Sequence, residues 1–368
     1  MSSAAQLMVF STLLAFGLAL AAAPVVSFVA RRLGMLDVPG GRRRHGRPIP
    51  RPGGLAIAFA FGTTILTFWL IDRLAGGPFL IPAEVRTPRF TLTALAASLG
   101  VGVGLMADVL DLRARWQFLG YLVIGAIIAG VAGIRVEKLN DPFSPEGLIE
   151  LAGPLAVGFT LFWIVGMNVA LNFIDGLDGL AAGVSAVAAA TLGALALVPQ
   201  VNEPFVAWMD FTLAGAICGF LLFNFHPARL FLGTTGVAFL GTMLAVLSIF
   251  GTAKVAAVLL VLGVPIIDTF YVLLRRLLRG RPPFAPDRGH FHHRLLAVGL
   301  SHRQAVLLIY AITLGLAALA VLTSGRTQLV SFIGAGVLLG VAVVALAQRS
   351  AKAEELDANL YSEEADGA

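Results

Sequence analysis

A succession of long apolar stretches constrains this chain more than any other feature of its sequence. Eleven such stretches alternate with polar segments, and of the 368 residues 58% are hydrophobic while only 13% are charged. A soluble domain carries roughly 25% charged residues, and a helix needs about 20 apolar residues to cross a bilayer. The sequence therefore predicts an all-α polytopic membrane protein of about eleven transmembrane helices.

The apolar stretches set the expected domain boundaries. We expect one transmembrane domain over residues 1–348 and an acidic, disordered cytoplasmic tail over residues 349–368. No basic residue precedes the first stretch and no small-residue cleavage site follows it, so we expect a retained helix and not a signal peptide. The stretches lie near residues 6–30, 54–73, 91–107, 116–134, 151–170, 179–198, 205–224, 236–251, 255–275, 304–323 and 329–347.

Basic residues are distributed unevenly between the two faces of the membrane. Nineteen of the 26 Lys and Arg residues lie in or beside alternate loops and the C-terminal tail, and seven lie in the other loops. Because loops rich in Lys and Arg stay in the cytoplasm, we predict that the N-terminus lies on the outer side of the cytoplasmic membrane and that the C-terminus lies in the cytoplasm. The basic loops also contain every dense polar cluster, which predicts one shared site on the cytoplasmic face. Since the excess of positive charge is a topology signal, we expect no nucleic-acid partner. The basic loops are 31–53, 108–115, 171–178, 225–235 and 276–303.

The densest polar segment joins the fifth and sixth apolar stretches. Asn168, Asn172, Asp175 and Asp178 lie within eleven residues and are followed by Gly179. These residue types also favour helix ends, but one Asn and one Gly would be enough for that. Four oxygen-bearing side chains at regular spacing favour a metal or phosphate site.

A second acidic cluster follows the third apolar stretch. Asp108 and Asp111 are one helical turn apart and share a helix face, where they could hold Mg²⁺ or orient a nucleophile. The alternative is ordinary ion pairing with Arg113 and Arg115 at the membrane surface.

Two basic loops are candidates for phosphate binding. In the first, arginines surround His45 and lead into Pro50-Arg51-Pro52-Gly53-Gly54. These residues could contact substrate phosphate, or they could anchor the loop to lipid headgroups.

The second of these basic loops follows the ninth apolar stretch and contains a compact set of hydrogen-bond donors, which favours binding of a diphosphate. Zinc is the alternative there, but the only cysteine, Cys218, lies in an apolar stretch, which excludes a cysteine-based zinc site and an intrachain disulfide. The donors of this loop are Asp287, His290, His292, His293 and Arg294.

Taken in order, these motifs resemble the polyprenyl-phosphate N-acetylhexosamine-1-phosphate transferases. The resemblance runs from about Leu33 to Leu295 and is strongest to the branch that uses UDP-N-acetylglucosamine. Its elements are Asp37-x-Pro39 with His45, Pro50-Arg51-Pro52-Gly53-Gly54, Asn168-x3-Asn172-x2-Asp175-Gly-x-Asp178-Gly179-Leu180, Phe223-Asn224-x2-Pro227-Ala228, Pro265-x2-Asp268-Thr269 and Asp287-x2-His290-x-His292-His293-Arg294-Leu295.

The resemblance implies a reaction and a set of roles. It implies a UDP-N-acetylhexosamine donor, a polyprenyl phosphate acceptor, release of UMP, and Mg²⁺ with Mn²⁺ as an alternative ion. Asp108, Asp175 and three histidines would be catalytic, and Asp108 and Asp175 would bind the metal. The histidines are His290, His292 and His293. The substrate contacts would be His45, Arg51, Asn168, Asn172, Asp178, Asn224, Asp287 and Arg294.

The chain departs from the family pattern at three positions. Ala107 stands where the family has the first of two adjacent aspartates, and Thr234 stands where it has a metal-binding aspartate. Gln117 replaces a common lysine. Thr234 offers the metal only a neutral hydroxyl, which is a much weaker partner for a dication than a carboxylate.

Three functions remain open at this point. A working transferase would start lipid-linked cell-envelope glycan synthesis, such as that of lipopolysaccharide, teichoic acid or the arabinogalactan linker. A catalytically silent homologue would bind UDP-sugar or polyprenyl phosphate without turnover. A lipid transporter would need polar groups near the bilayer midplane and repeat symmetry, neither of which the sequence offers. Membrane lipid and a homodimer are the expected partners.

Overall fold

The protein folds into a bundle of helices. The computed structural model describes residues 3–38, 47–76, 80–82, 85, 89–141, 148–250, 254–280, 282, 289–323 and 326–342, together with residues 344, 345 and 348. In these residues the helices are α1 (Ser3–Arg32), α2 (Gly54–Leu74), α3 (Arg89–Val109), α4 (Ala114–Ala126, continued by a π-helical turn at Ile127–Val131), α5 (Pro154–Ile174), α6 (Leu180–Ala196), α7 (Pro204–Asn224), α8 (Gly233–Ile249), α9 (Lys254–Val261), α10 (Gly263–Leu278), α11 (Phe291–Ala297), α12 (His302–Leu322) and α13 (Arg326–Ala342).

The predicted all-α polytopic class is confirmed. Among the described residues, seven helices are long and apolar enough to cross a membrane, and the bent pair α9–α10 makes an eighth candidate. The shorter apolar helices α6, α8 and α13 cover the other three predicted stretches. Within the described residues every predicted stretch thus contains a helix, whereas the count of eleven crossings and the orientation of the termini stay predictions.

The ninth stretch is not one straight helix. Its two halves, α9 and α10, meet at Leu262 with a bend of 78°. Gly263 and Pro265 lie just after the break, and proline removes a backbone donor that a continuous helix needs. Because of this bend, α10 leaves the direction of α9 and leads towards α11.

Small residues bring three helices into backbone contact beneath the site. A Cβ added to Gly104 of α3 would lie 2.5 Å from the Cα of Thr235, and one added to Gly54 of α2 would lie 2.1 Å from the Cα of Gly236. Such close approach is typical of helix packing in membranes. It fixes the start of α8 against α2 and the end of α3.

Two short antiparallel hairpins complete the described structure. Strand β1 (Leu36–Asp37) pairs with β2 (Ile49–Pro50), and β3 (Lys138–Asn140) pairs with β4 (Leu148–Glu150). The first hairpin is extended by the segment before α8, since the N–H of Phe231 donates to Pro50 O and the N–H of Gly53 donates to Phe231 O, both at 2.9 Å. It therefore ties the first basic loop to the α7–α8 connection.

Candidate active site

Polar side chains from four separate segments meet at one end of the bundle. Asp108 lies near the end of α3, Asp175 follows α5, and Asp178 lies in the turn before α6. Thr234 is in the first turn of α8, and His290 immediately precedes α11. The structure therefore brings together residues that are more than 180 positions apart in the sequence.

Asp108 is held by the N-terminus of α8. Its Oδ1 accepts the backbone N–H of Thr234 at 2.9 Å, and its Oδ2 accepts the backbone N–H and the hydroxyl of Thr235 at 2.8 and 2.6 Å. A helix start leaves its first N–H groups unpaired, and a carboxylate is their preferred partner. Asp108 thus joins α3 to α8, and three of its roughly four lone-pair positions are occupied.

Asp175 differs from Asp108 because the described residues donate no hydrogen bond to its carboxyl group. Its removal from water raises the pKa of Asp175 to about 7, and the negative charges of Asp108 and Asp178 act in the same direction. A raised pKa in a cleft with specific charged neighbours is a common property of functional carboxylates. Asp175 is therefore the carboxylate of this site that is best placed to receive a cation.

Asp178 organises the connection between α7 and α8. Its Oδ2 accepts the N–H of Ala228 at 3.0 Å and lies 2.8 Å from Nδ1 of His226. Asn224, which is 3% exposed, donates from Nδ2 to the carbonyl of Leu230 at 3.0 Å and closes the same connection. Both residues were expected to contact substrate, and in this structure their hydrogen bonds shape the loop beside the site.

A possible metal-binding group occurs beside Asp178. One ligand atom from each of Asp178, His226 and His302 lies within 4.8 Å of the others. The two imidazole rings stack with centroids 4.1 Å apart and planes only 19° apart. Because an imidazole lone pair lies in the ring plane, nearly parallel rings cannot both aim at one ion without a rotation. We therefore interpret the group as a packing contact between α12 and the α7–α8 connection.

The three predicted histidines form a second cluster that packs against the end of α5. His290 lies edge-on to Phe173 at 5.1 Å between centroids, and the rings of His292 and His293 are 4.2 Å apart. His292 is 2% exposed, its Nε2 has no hydrogen-bond partner among the described residues, and a Cβ added to Gly176 would lie 2.2 Å from that atom. The glycine beside Asp175 is thus required for His292 to fit.

The charge of His292 differs from the sequence expectation. Burial lowers its pKa well below the usual range, and the neighbouring histidines His293 and His290 add to this shift. His292 is therefore a neutral ring at neutral pH. A positive charge for a diphosphate has to come from other residues of this cluster.

Arg51 makes structural ion pairs. Its guanidinium bonds Asp37 Oδ1 from Nε at 2.9 Å and from Nη2 at 2.7 Å, and Nη1 bonds Asp111. A Cβ added to Gly53 would lie 2.2 Å from the carbonyl oxygen of Phe231. The Pro-Arg-Pro-Gly-Gly motif, expected to contact substrate, therefore fixes the first loop to the α3–α4 turn and to the segment before α8.

The two asparagines of α5 have different surroundings. Asn172 is half-buried and donates from Nδ2 to Gln117 Oε1 at 3.0 Å and to the hydroxyl of Tyr121 at 2.9 Å. Asn168 is fully buried one turn earlier, where Nδ2 donates to Ile164 O at 2.8 Å and to Thr242 Oγ1 at 3.3 Å. Asn172 lies at the site, whereas Asn168 lies in the contact between α5 and α8.

Arg294 supports the segment that leads into α11, since it is 4% exposed, donates from Nε to Gly289 O at 2.8 Å, and lies over the ring of Tyr271 at 5.1 Å.

The predicted substrate contacts His45 and Asp287 lie outside the described residues. Sequence reasoning missed the partners His226, Thr235 and Gly176, and it quoted Asp268 only as part of a motif. An acidic residue within an apolar stretch is a signal for Asp268; the other three show no such signal.

Comparison with known proteins identifies this arrangement. The sequence profile of glycosyl transferase family 4 matches residues 90–252. A probable undecaprenyl-phosphate N-acetylglucosaminyl 1-phosphate transferase of Bacillus subtilis is 37% identical over 78% of this chain and 77% of its own length. This chain belongs to the polyprenyl-phosphate N-acetylhexosamine-1-phosphate transferases. A decaprenyl-phosphate N-acetylglucosaminephosphotransferase of Mycolicibacterium smegmatis is 32% identical over 88% of this chain and 85% of its own length.

A more distant relative extends the same family. The undecaprenyl-phosphate alpha-N-acetylglucosaminyl 1-phosphate transferase of Yersinia pestis is 28% identical over 76% of this chain and 74% of its own length. The family resemblance drawn from the motifs is therefore confirmed, and the chain is a multi-pass membrane protein of this N-acetylhexosamine-1-phosphate transferase family.

The donor set of this transferase fits Mg²⁺ only in part. Mg²⁺ is usually held by one or two carboxylates together with waters and substrate phosphates. Asp175 offers a carboxyl group to which no described residue donates, and Asp108 retains about one lone-pair position. Thr234 adds no charge. These residues fit an ion that arrives with a diphosphate better than an ion held by protein alone.

Proposed function

We propose that this chain transfers N-acetylglucosamine 1-phosphate from UDP-N-acetylglucosamine to a polyprenyl phosphate at the cytoplasmic face of the cytoplasmic membrane. The observation that carries the proposal is the meeting of Asp108, Asp175 and Asp178 with three histidines at one end of the bundle, in a member of this family. The reaction would start lipid-linked envelope glycan synthesis. The homodimer expected from the sequence stays a prediction.

The reaction requires positioning more than covalent chemistry. An oxygen of the lipid phosphate attacks the sugar-bearing phosphorus of the donor, the bond from that phosphorus to the bridging oxygen breaks, and UMP leaves with that oxygen. A phosphate monoester has a second pKa near 6, so the nucleophile needs little activation at neutral pH. Electrostatic stabilisation and alignment then supply most of the catalysis.

The residues divide these tasks according to their surroundings. Asp175 and the remaining lone pair of Asp108 would hold Mg²⁺, whose chemistry when bound is to neutralise charge on the diphosphate. Asn172 lies beside them, half-buried and next to Gln117, where it is suited to the nucleotide. His290 and His293, at the start of α11, would lie beside the reacting phosphates.

Turnover by purified protein tests the proposal. Protein in lipid nanodiscs should convert radiolabelled UDP-N-acetylglucosamine and undecaprenyl or decaprenyl phosphate into a lipid-extractable product with equal release of UMP. Asp175→Asn, which removes only the charge at nearly constant size, should lose about 10²–10³-fold in rate. Absence of product from the unaltered protein under all Mg²⁺ and Mn²⁺ concentrations would contradict it.

One observation favours the second candidate, a catalytically silent homologue. The position that is acidic in the family is Thr234, and its backbone N–H holds Asp108 together with Thr235. Calorimetric binding of UDP-N-acetylglucosamine without any turnover would support this alternative.

Cysteine labelling tests the proposed face. In a Cys218→Ser background, Arg279→Cys at the exposed end of α10 should resist an impermeant thiol reagent in intact cells. Ala75→Cys at the exposed end of α2 should react, because it lies on the predicted outer side. The reverse pattern would contradict the cytoplasmic site.

A further inference from the structure

A buried carboxylate holds the first histidine of the cluster. Asp268 of α10 is 4% exposed and His290 is 7% exposed. Asp268 Oδ2 lies 2.9 Å from His290 Nδ1, and Oδ1 accepts the backbone N–H of Phe291 at 2.8 Å. Both oxygens of Asp268 are thus engaged by the residues at the start of α11, and none of the functions assigned above uses this aspartate.

This contact determines the protonation of the imidazole ring. A carboxylate can only accept hydrogen bonds, so the proton of a neutral His290 ring is on Nδ1 and the lone pair is on Nε2. The ring has little freedom to turn, because Phe173 lies edge-on to it at 5.1 Å and the His292 ring lies nearly parallel at 5.7 Å.

We propose that Asp268 is a positioning residue that acts through His290. It fixes the ring and its tautomer so that Nε2 presents a lone pair, which accepts a hydrogen bond from the protonated oxygen of a phosphate monoester, the group that the lipid acceptor carries. The proposal rests on the proposed transferase function for the identity of that phosphate. The contact itself is a property of the described residues and can be tested without turnover.

The neighbouring hydrogen bond makes one substitution especially informative. In Asp268→Asn the amide oxygen stays at the Oδ1 position, because the buried N–H of Phe291 needs an acceptor. The amide NH₂ then faces Nδ1 of His290, which has to accept, and the proton of the neutral ring moves to Nε2. The substitution therefore reverses the tautomer at nearly constant volume. Asp268→Ala would be less useful because it leaves the Phe291 N–H unpaired.

Thr269 provides a matched control in the same helix. Its hydroxyl is buried, no part of the chain that the structure describes forms a hydrogen bond with it, and the residue is 6% exposed. Thr269→Val keeps the shape of the side chain and removes a polar group that no described residue uses. It should leave the tautomer of His290 and the rate of product formation unchanged.

Nitrogen NMR of ¹⁵N-histidine-labelled full-length protein gives the decisive readout. The chain has six histidines, and the His290→Gln spectrum identifies the signal of His290 by difference. We expect the Nδ1–H form in the unaltered protein and in Thr269→Val, and the Nε2–H form in Asp268→Asn. The other five signals report whether each variant is folded. The same tautomer in the unaltered protein and in Asp268→Asn would overturn the proposal.

Kinetics then separates positioning from mere structural support. We expect Asp268→Asn to lower kcat about 10- to 100-fold, the usual cost of losing the group that orients a functional histidine, with KM for UDP-N-acetylglucosamine little changed. A reversed tautomer with unchanged kcat would overturn the role in catalysis. If the unaltered protein shows no turnover, the transferase function fails, and the NMR result together with a weaker affinity of Asp268→Asn for undecaprenyl phosphate still decides whether Asp268 positions His290.

Discussion

Restoring a single carboxylate at position 234 tests how this site manages a metal ion. Thr234 is half-buried in the first turn of α8, and its backbone nitrogen lies 2.9 Å from Asp108 Oδ1. In Thr234→Asp the backbone contact to Asp108 is kept, since it involves only the N–H. Thr234→Asn is the matched control, because it has the same size without the charge.

Without a metal ion, the repulsion between the new carboxylate and Asp108 should destabilise the folded protein. The backbone nitrogen of residue 234 lies 2.9 Å from Asp108 Oδ1, so the new carboxylate would be close to that of Asp108. For a separation of about 6 Å, two charges repel by about 3 kcal/mol at an effective dielectric constant of ~20. The N-terminus of α8 offsets about 0.3–1 kcal/mol of this. Thr234→Asp should therefore unfold at a lower temperature than Thr234→Asn in EDTA.

Mg²⁺ should reverse that order. A dication between the two carboxylates removes the repulsion, and a ligand at 100 times its Kd stabilises the folded state by about 2.7 kcal/mol. Thermal unfolding in detergent across a Mg²⁺ titration measures this difference. Because a charged ligand would help to hold the ion that neutralises the diphosphate, product formation by Thr234→Asp should rise about 10²–10³-fold over Thr234→Asn.

Equal Mg²⁺ responses of the two variants would refute the reasoning, since they would show that position 234 does not contact the ion. The other missing acid is a poorer target. Ala107 is 2% exposed on the face of α3 that packs against α8, so an aspartate there would be a buried charge beside Asp108. Such a charge costs several kcal/mol when it is unpaired.

Three further predictions follow from individual contacts. Gly176→Ala should lower product formation and cost about 1–3 kcal/mol of stability, because the new methyl group displaces His292. Gly158→Ala is the control: its Cβ would meet no described atom within 4 Å outside its own helix, so activity and melting temperature should not change. Asn168→Ala should lower the melting temperature and leave KM for UDP-N-acetylglucosamine unchanged; a raised KM would show that it binds substrate. Because the pKa of Asp175 is raised to about 7, protons should compete with Mg²⁺, so that affinity measured by calorimetry falls up to tenfold per pH unit below 7 and levels off above it.

The sequence predicts the helical framework because hydrophobic length is a local property. Each apolar stretch becomes a helix whatever its neighbours are, since backbone groups within a membrane have to be satisfied inside the segment. The break at Leu262 could also have been predicted, because Gly263 and Pro265 lie in the middle of the apolar stretch. The expectation of one uninterrupted helix did not take these two residues into account.

The partners of the polar groups were not predictable in the same way. Asp108 contacts Thr235 across 127 positions of sequence, and Asp178 contacts His226 across 48. Such contacts depend on which helices pack together, and the small residues that decide this packing carry no polar signal. Asn168 illustrates the limit, because its spacing from Asn172 suggested a shared site while the burial of its helix face places it against α8.

The local environments explain how this site could accept a diphosphate with fewer acids than its family. Three donors from α8 stabilise the carboxylate of Asp108, the N–H of Ala228 donates to Asp178, and burial raises the pKa of Asp175 to about 7. The negative potential that a diphosphate meets is therefore weaker than three isolated, ionised carboxylates would produce. A fourth and a fifth carboxylate, at positions 107 and 234, would raise that charge and make a bound cation a condition for substrate entry. With alanine and threonine there, the diphosphate itself can supply the oxygens that recruit Mg²⁺, so ion and substrate should bind with positive coupling.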